Sequence, residues 1–462
     1  MSMNKNARKI IIRACIFAGL GGLLFGLDQG FINGSLSFIK EEMHLSLIQS
    51  QSFASIMHLG CIIGVLFSGW VSKTIGRKRT LVLTALFFGF FSLLGAFTHD
   101  VFVLYASRFA LGLAVGYASF VVPLYFSEIA PAKMRGGFIA MYQLMITIGI
   151  FAIFLSNSVI GTYFQSWRLM LGVIALPSIV MFLGAMFIPQ SPRWLVLRGR
   201  EDHAKAVLSS IREHESHAED ELNEIKESLD TDTKQGGWKL LKESYFLRVL
   251  GLGILLMLLQ QFSGINAVIY YSGEIFKKAG AQHPAMGTVV IGLINVIFTV
   301  VAIKYVDKWG RKPILYSGLT VMTLTLLIIG SLFKMQENGI VLGNFSSGLM
   351  VAACIVYIAA FAMSLGPIMW IICAEIFPLE GRDFGITVTT ATCWVACAIV
   401  VQFSLSIIHH FGGSALFFLF AICCVLGFSI VRLFTPETKG VSLEHIEGKL
   451  KSGEKLLRIG RT

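Results

Sequence analysis

The stretch IIIRACIFAGLGGLLFGLDQGFING, at residues 10–34, consists almost entirely of apolar and small side chains. About 20 predominantly apolar residues form a helix that crosses the hydrocarbon core of a bilayer, which is about 30 Å thick. The stretch therefore predicts a transmembrane helix. Asp28 lies near its end. An acidic side chain at the centre of such a helix costs about 2.5–3.5 kcal/mol, so its presence indicates a function.

The rest of the chain repeats this apolar pattern. Of the 462 residues, 55% are hydrophobic and only 14% are charged, and the mean hydropathy is +0.73. A soluble domain averages about 25% charged residues, so the composition excludes that class. We predict an all-α integral membrane protein with twelve transmembrane helices, at about 11–35, 50–72, 80–98, 101–124, 138–160, 167–188, 247–271, 285–306, 313–333, 346–373, 384–408 and 412–434.

The positive charges indicate the orientation of these spans. Lys and Arg lie in, or within a few residues of, the two tails and the loops that follow even-numbered spans. The exceptions are Arg108 inside span 4 and, on the other side, Lys40, Arg168, Lys277, Lys278 and Lys334. The positive-inside rule then predicts that both termini and the loop at 189–246 are cytoplasmic. The net charge of +11 is therefore a topology signal, and we expect no nucleic-acid partner.

The two halves of the chain share short motifs in the same order. The pairs are IGRKR at 75–79 with WGRKP at 309–313, SEIAPAKMRG at 127–136 with AEIFPLEGRD at 374–383, and, more loosely, QSPRW at 190–194 with PETKG at 436–440. Such a parallel repeat is one plan of secondary transporters, which bind substrate near the membrane midplane. We predict an N-terminal six-helix half at 1–188, a cytoplasmic linker of short amphipathic helices at 189–246, a C-terminal six-helix half at 247–435 and a cytoplasmic tail at 436–462.

Polar side chains inside the spans are the candidate functional residues. In span 1, Gly22, Gly26, Gly30 and Gly34 form a stripe that lets another helix approach closely, and Asp28 faces away from that stripe. In span 7, an amide cluster flanks a predicted break at 263–264 and offers directional donors and acceptors to a neutral polyol; its members are Gln260, Gln261 and Asn266. Trp370 and Trp394 offer flat apolar faces for a sugar ring.

Ten motifs in order resemble the sugar porters of the major facilitator superfamily, and within them the bacterial galactose–proton symporters most closely. They are GLLFGLD, SRFALGLAVG, VVPLYFSEIAP, MYQLMITIG, QSPRWL, QQFSGINAVIYYSGEIF, DKWGRK, GPIMWIICAEIFP, GRDFGIT and PETKGVSLEHIE. The resemblance covers nearly the whole chain. It implies the major facilitator fold, alternating access, a bacterial inner-membrane location and a monomer.

The resemblance also implies roles for particular residues. It pairs Asp28 with Arg108 for proton coupling, and it adds Gln143 and Asn295 to the sugar-binding amides. Phe25, Tyr270 and Tyr271 are expected to be gates. A set of charged residues in the repeated motifs is expected to latch the cytoplasmic side; it comprises Arg77, Glu128, Arg135, Arg193, Asp307, Arg311, Glu375, Arg382 and Glu437.

Three positions depart from the pattern of these porters. Gln190 stands where Glu or Asp is usual, which weakens one cytoplasmic ion pair. Lys73 stands where the superfamily motif often has Asp. Cys393 stands where Asn is frequent, so a hydrogen bond to sugar is missing or replaced, and this leaves the exact sugar open.

The sequence therefore predicts a proton-coupled symporter that imports a monosaccharide, galactose or glucose first and xylose or arabinose second. A passive sugar facilitator with the same site is the nearest alternative, followed by a non-transporting sugar sensor and a drug–proton exporter. We find no catalytic constellation and no metal-ligand spacing, so we expect neither an enzyme nor a cofactor or metal. All eight cysteines lie in apolar spans, where they are expected to be packing residues.

Overall fold

The computed structural model describes residues 5–131, 135–212, 215–232, 237–278, 284–441 and 443–460. The secondary structure of these residues is helical, with no strand among them. The predicted all-α class is therefore confirmed.

Twelve helices in the described part of the chain are long and apolar enough to cross a membrane, which confirms the predicted number. Spans 1–12 are Ala7–Glu42, Leu47–Ile75, Arg77–Phe97, Val101–Ile129, Gly137–Tyr163, Trp167–Ala185, Ser244–Lys277, Pro284–Trp309, Arg311–Glu337, Asn344–Ile376, Arg382–Phe411 and Gly413–Leu433. Span 1 exceeds its predicted length because the helix resumes after an irregular turn at Asn33 and Gly34.

Two span boundaries that rest on short polar or glycine interruptions have clear physical causes. Span 4 begins at Val101 because Asp100 accepts a hydrogen bond from the backbone N–H of Val103, at 3.0 Å. Span 12 begins at Gly413 because Gly412 adopts a φ of 90°, which favours glycine.

Spans 7 and 10 each consist of two helices joined by a break. Span 7 breaks between Phe262 and Ile265, where Gly264 has a φ of 92°; the predicted loosening there is confirmed. Span 10 breaks at Ser364, with φ −120° and ψ −91°. Pro367 explains this second break, because a proline ring clashes with the carbonyl group four residues earlier, here that of Met363.

The polar segments between spans 6 and 7 and after span 12 form shorter helices. They are Pro192–Leu197, Glu201–Ile211, Glu215–Asp232 and Gly237–Leu240 in the linker, Leu443–Lys451 in the tail, and a 3-10 turn at Leu456–Arg458. Helix Glu201–Ile211 buries Ala204, Leu208 and Ile211 and exposes the charged side chains of Glu201, Asp202 and Lys205. The predicted amphipathic character is confirmed for this helix.

The chain divides into two compact units. The first comprises Met1–Asp28, Leu59–Gly149 and Arg168–Gly236, and the second comprises Gln29–His58, Ile150–Trp167 and Gly237–Thr462. Spans 1, 2, 5 and 6 therefore contribute residues to both units. Asp28 and Arg108 belong to the first, whereas the amides of span 7 belong to the second.

The glycine stripe of span 1 packs against span 5. Within the first unit, a Cβ atom on Gly26 would lie 2.0 Å from the Ile146 carbonyl oxygen, and one on Gly22 would lie 2.9 Å from that of Tyr142. Only glycine permits so close an approach of the two backbones. The predicted helix contact is confirmed at these positions.

Candidate functional site

Asp28 and Arg108 form an ion pair inside the first unit. Both side chains are fully buried, and Arg108 Nη1 donates a hydrogen bond to Asp28 Oδ1. Among the described residues, no donor reaches the second carboxylate oxygen, Oδ2. Removing one partner of a buried pair leaves an uncompensated charge, at a cost of about 3–5 kcal/mol. The charge of Asp28 and its contact with Arg108 therefore depend on each other.

The other two candidates in the first unit are Gln143 and Phe25, and both are half-buried. Phe25 precedes Asp28 by three residues on span 1, which places it on a neighbouring part of the helix surface. Gln143 lies on span 5, next to Tyr142, which contacts Gly22. Each side chain therefore lies partly at the surface of the protein.

In the second unit the predicted amides of span 7 are hydrogen-bonded to one another across the break. Asn266 Nδ2 donates to Gln261 Oε1 at 2.5 Å, and Gln261 Nε2 donates to Gln260 Oε1 at 3.2 Å. Gln260 Nε2 donates to the Leu365 carbonyl, at 2.8 Å, beside the break in span 10. All three amides are at most 6% exposed, so the structure brings these predicted residues together.

Gln29 of span 1 joins this cluster, and Asn33 of span 1 contacts the second helix of span 7; sequence reasoning missed both. Gln29 Nε2 donates to Asn266 Oδ1 at 2.5 Å, and Asn33 Nδ2 donates to Ser272 Oγ, also at 2.5 Å. The signal was present, because two amides in an apolar span need partners as much as those of span 7 do.

Two thiols of span 11 contact the same amides. Gln261 Nε2 lies 3.1 Å from Cys393 Sγ, and Asn266 Nδ2 lies 3.0 Å from Cys397 Sγ. Both cysteines are buried thiols. Sulfur is a weak acceptor, so these contacts hold the amide N–H groups less firmly than an oxygen would. Cys393 thus occupies a position beside the amides.

Two aromatic candidates of the second unit, Tyr270 and Trp394, contact His58. Tyr270 Oη lies 3.1 Å from His58 Nε2, and the rings of His58 and Trp394 have centroids 5.8 Å apart. Tyr271 Oη donates to the Val401 carbonyl at 3.1 Å. The two tyrosines are thus held by hydrogen bonds at their tips.

The remaining two candidates of this unit differ in exposure. Asn295 of span 8 is buried, with 6% of its surface exposed, whereas Trp370 of span 10 is half-buried. Trp370 therefore presents part of its ring at a surface.

In each unit an ion pair joins two of the repeated motifs. In the first, Arg77 Nε and Nη2 donate to both oxygens of Glu128 over 2.7–3.1 Å. In the second, Arg311 Nη2 lies 2.7 Å from Glu375, and Arg311 Nη1 lies 3.1 Å from Asp307. Fork-shaped contacts of this kind are among the stronger charge-assisted bonds.

Gln190 and Glu437 occupy matching positions beside these pairs. Gln190 Oε1 accepts from the backbone N–H of Lys78 at 3.0 Å, and Glu437 accepts from the backbone N–H groups of Arg311 and Lys312 at 3.0 and 2.9 Å. Each side chain therefore caps the N-terminus of a span, span 3 or span 9. The neutral Gln190 retains the cap without the charge.

The other latch candidates are placed less completely. Arg382 Nη2 donates to the Phe377 carbonyl at 3.5 Å, and Arg193 is half-buried in helix Pro192–Leu197. The side chain of Arg135 lies outside the described residues. No group of three or more His, Cys, Asp or Glu residues in the described part of the chain is arranged to hold a metal ion.

Comparison with known proteins agrees with this architecture. The family model described as sugar (and other) transporter matches residues 14–450. The galactose-proton symporter of Escherichia coli K12 is 44% identical over 450 residues, 96% of each chain. The arabinose-proton symporter of the same strain is 42% identical over 460 residues, 99% of this chain and 97% of that one.

Solved structures match over the same length. An inward-open structure of the xylose transporter XylE from E. coli gives a TM-score of 0.82 at 28% identity, covering 95% of this chain and 99% of that one. The major facilitator superfamily proton:xylose symporter XylE bound to 6-bromo-6-deoxy-D-glucose gives 0.79 at 31% identity, covering 97% and 100%. The predicted major facilitator fold is confirmed, and the chain belongs to the sugar transporter family.

Proposed function

We propose that this protein is a proton–sugar symporter that imports a monosaccharide by alternating access. The observation that carries the proposal is the fully buried pair of Asp28 and Arg108 in a membrane-spanning unit. Acidic residues inside spans commonly mark proton relays. The identity with galactose-proton and arabinose-proton symporters supports the same conclusion. The protein resides in a bacterial inner membrane, and the charge distribution favours cytoplasmic termini.

Asp28 accepts the coupled proton. In the ionised state its carboxylate is held by Arg108, and Oδ2 is the oxygen with a free lone pair among the described contacts. Protonation at Oδ2 removes the negative charge, so the attraction to the guanidinium weakens. Spans 1 and 4 are then free to separate, which permits the change of access. Return to the ionised state on the cytoplasmic side releases the proton and restores the pair.

The sugar is bound by neutral amides. Gln260, Gln261, Asn266, Gln143 and Asn295 offer both donors and acceptors, as hydroxyl groups require.

Trp370 and Trp394 supply flat faces for the C–H side of the ring. Tyr270 and Tyr271 are gates in the second unit, and Phe25 is a gate in the first. A hexose, galactose or glucose, is the first candidate, and xylose or arabinose is the second.

The charged motifs hold the cytoplasmic side closed when the transporter opens outward. The Arg77–Glu128 pair acts in one unit and the Arg311–Glu375 pair in the other. Each pair fixes the end of one span to the start of another, so closure restores the same contacts in every cycle. Gln190 and Glu437 keep the adjoining helix ends in place.

Coupling to one proton sets the limit of accumulation. A membrane potential of 100 mV contributes about 2.3 kcal/mol per charge, and one pH unit adds about 1.4 kcal/mol. Together these terms support accumulation of several hundredfold at most, by the rule of about 1.4 kcal/mol per tenfold.

Purified protein in liposomes with an internal pH dye tests the proposal. D-galactose, D-glucose, D-xylose and L-arabinose are added outside in turn. Acidification of the interior on adding one of them is the expected result and identifies the substrate. Sugar equilibration without a pH change would make the protein a passive facilitator. Binding without uptake would make it a sensor.

A further inference from the structure

The amides of the second unit form a chain in which every hydrogen bond points the same way. Gln29 donates to Asn266 at 2.5 Å, Asn266 to Gln261 at 2.5 Å, Gln261 to Gln260 at 3.2 Å, and Gln260 to the Leu365 carbonyl at 2.8 Å. Each amide in the middle accepts from one neighbour and donates to the next. The orientation of one amide therefore fixes the orientation of those that follow.

Gln29 occupies the first position of this chain. Its side chain is 8% exposed, and that of Asn266 is 4% exposed, so neither relies on bulk water for its hydrogen bonds. An Asn side chain presents an oxygen at one end and an NH₂ group at the other, and a half-turn exchanges them. The Leu365 carbonyl can only accept, so it fixes the orientation of Gln260 and, through Gln261, the orientation in which Asn266 Nδ2 faces Gln261 and Oδ1 faces span 1. Gln29 supplies the donor that holds this oxygen.

The contacts with two cysteine sulfurs keep amide N–H groups available to a sugar. Asn266 Nδ2 also contacts Cys397 Sγ at 3.0 Å, and Gln261 Nε2 also contacts Cys393 Sγ at 3.1 Å. Because thiols are weak acceptors, a sugar hydroxyl can replace them at little cost in hydrogen-bond energy. The N–H groups available to the sugar therefore belong to amides whose orientation is fixed by this chain of hydrogen bonds.

We propose that Gln29 is a positioning residue for sugar recognition, which acts by holding the side chain of Asn266 in place through its Oδ1. The inference rests on the proposed function, because it assigns Gln29 a role at the same sugar-binding amides. Gln29 acts through Asn266 and not through a contact with the sugar. Its loss leaves the buried Asn266 Oδ1 without this donor, so the amide is no longer held in the position that matches the hydroxyl groups of the substrate.

Three variants test this role. Gln29→Met keeps the approximate length of the side chain and removes the donor. Gln29→Glu keeps its shape, but an ionised carboxylate can only accept. Ser35→Ala is the matched control, because Ser35 is also buried on span 1 and its hydroxyl donates to the Phe31 carbonyl of its own helix, at 2.6 Å.

The assay is sugar counterflow in proteoliposomes, which needs no proton gradient. It uses whichever of D-galactose, D-glucose, D-xylose and L-arabinose the wild type exchanges fastest, together with the monodeoxy analogues of that sugar. Each analogue lacks one hydroxyl group, so each reports on the loss of one set of hydrogen bonds. KM and the maximal rate are measured for every protein and analogue.

We expect Gln29→Met to raise KM for the parent sugar about fivefold, the size of one lost hydrogen bond, with the maximal rate within twofold of wild type. Gln29→Glu raises it at least as much, and Ser35→Ala leaves it unchanged. For the analogue that lacks the hydroxyl bound by Asn266, Gln29→Met changes KM less than twofold. A structural defect would instead raise KM for every analogue by the same factor.

If Gln29→Met raises KM equally for all analogues, or leaves KM unchanged, the inference is overturned. Sugar exchange by the wild type would still support the proposed function in that case. If the wild type exchanges none of the four sugars, the proposed function fails and the inference fails with it. Should Gln29→Met not fold, Gln29→Glu is compared across the analogues in the same way.

Discussion

Gln190 and Glu437 each cap the N-terminus of a span, one without a charge and one with it. The contribution of that negative charge to stability can therefore be measured by removing it at Glu437 and by adding it at Gln190. The Glu437 carboxylate accepts from two backbone N–H groups at the start of span 9, at 3.0 and 2.9 Å. Gln190 Oε1 accepts from one at the start of span 3, at 3.0 Å. A side-chain cap contributes about 0.5–2 kcal/mol. A negative charge at a helix N-terminus adds about 0.3–1 kcal/mol.

Three substitutions change the charge and the number of hydrogen bonds in steps. Glu437→Gln removes the charge and one of the two acceptor oxygens, because an amide has a single oxygen, so we expect a loss of about 1–1.5 kcal/mol. Glu437→Ala removes both hydrogen bonds, for a loss of about 2 kcal/mol. Gln190→Glu adds the charge, keeps an acceptor oxygen and stabilises by about 0.5 kcal/mol. At roughly 2 °C per kcal/mol, the melting temperature falls by about 2–3 °C and 4 °C for the first two and rises by about 1 °C for the third.

A thiol-reactive fluorogenic dye in detergent provides the assay. All eight cysteines are thiols, and all except Cys423 are buried, so the dye reports unfolding. Glu454→Ala is the control, because that side chain is half-buried and its ion pair with Arg458 is long, at 3.9 Å. An unchanged melting temperature for Glu437→Ala, or a lower one for Gln190→Glu, would refute the reasoning.

Three further predictions concern packing, recognition and closure. Gly26→Ala places a Cβ atom 2.0 Å from the Ile146 carbonyl oxygen, so it should cost about 1–3 kcal/mol and lower the melting temperature; wild-type stability would contradict the close contact of spans 1 and 5. Cys393→Asn gives the sugar a new donor beside Gln261, so KM in counterflow should fall about threefold to tenfold; an unchanged KM would count against its place in the site. Glu128→Gln breaks the bidentate ion pair, so net uptake should slow at least tenfold while equilibrium sugar binding stays within twofold; equal effects on both would argue against a latch.

The helical plan could be predicted from the sequence because its causes are local. Runs of apolar residues determine the number of spans, and Asp100 and Gly412 end helices through their own side chain or backbone. Gly264 marked the break in span 7. The break in span 10 also had a local cause in Pro367, which was not recognised because the surrounding residues are apolar.

The contacts between distant residues could not be predicted from the sequence in the same way. Gln29 lies 237 positions before its partner Asn266, and no local pattern joins them. The neutral Gln190 was expected only to weaken an ion pair, whereas it caps span 3 through its amide oxygen. Partners of this kind depend on the fold that brings them together.

The measurement that tests the central claim most directly compares wild type with Asp28→Asn in two assays on the same proteoliposomes. Asparagine resembles the protonated acid and cannot exchange a proton, so the account predicts that the variant still exchanges sugar in counterflow but no longer acidifies the interior when sugar is added outside. The wild type does both. Sugar-dependent acidification by Asp28→Asn, or its absence in the wild type despite sugar uptake, would contradict the assignment of Asp28 as the proton carrier.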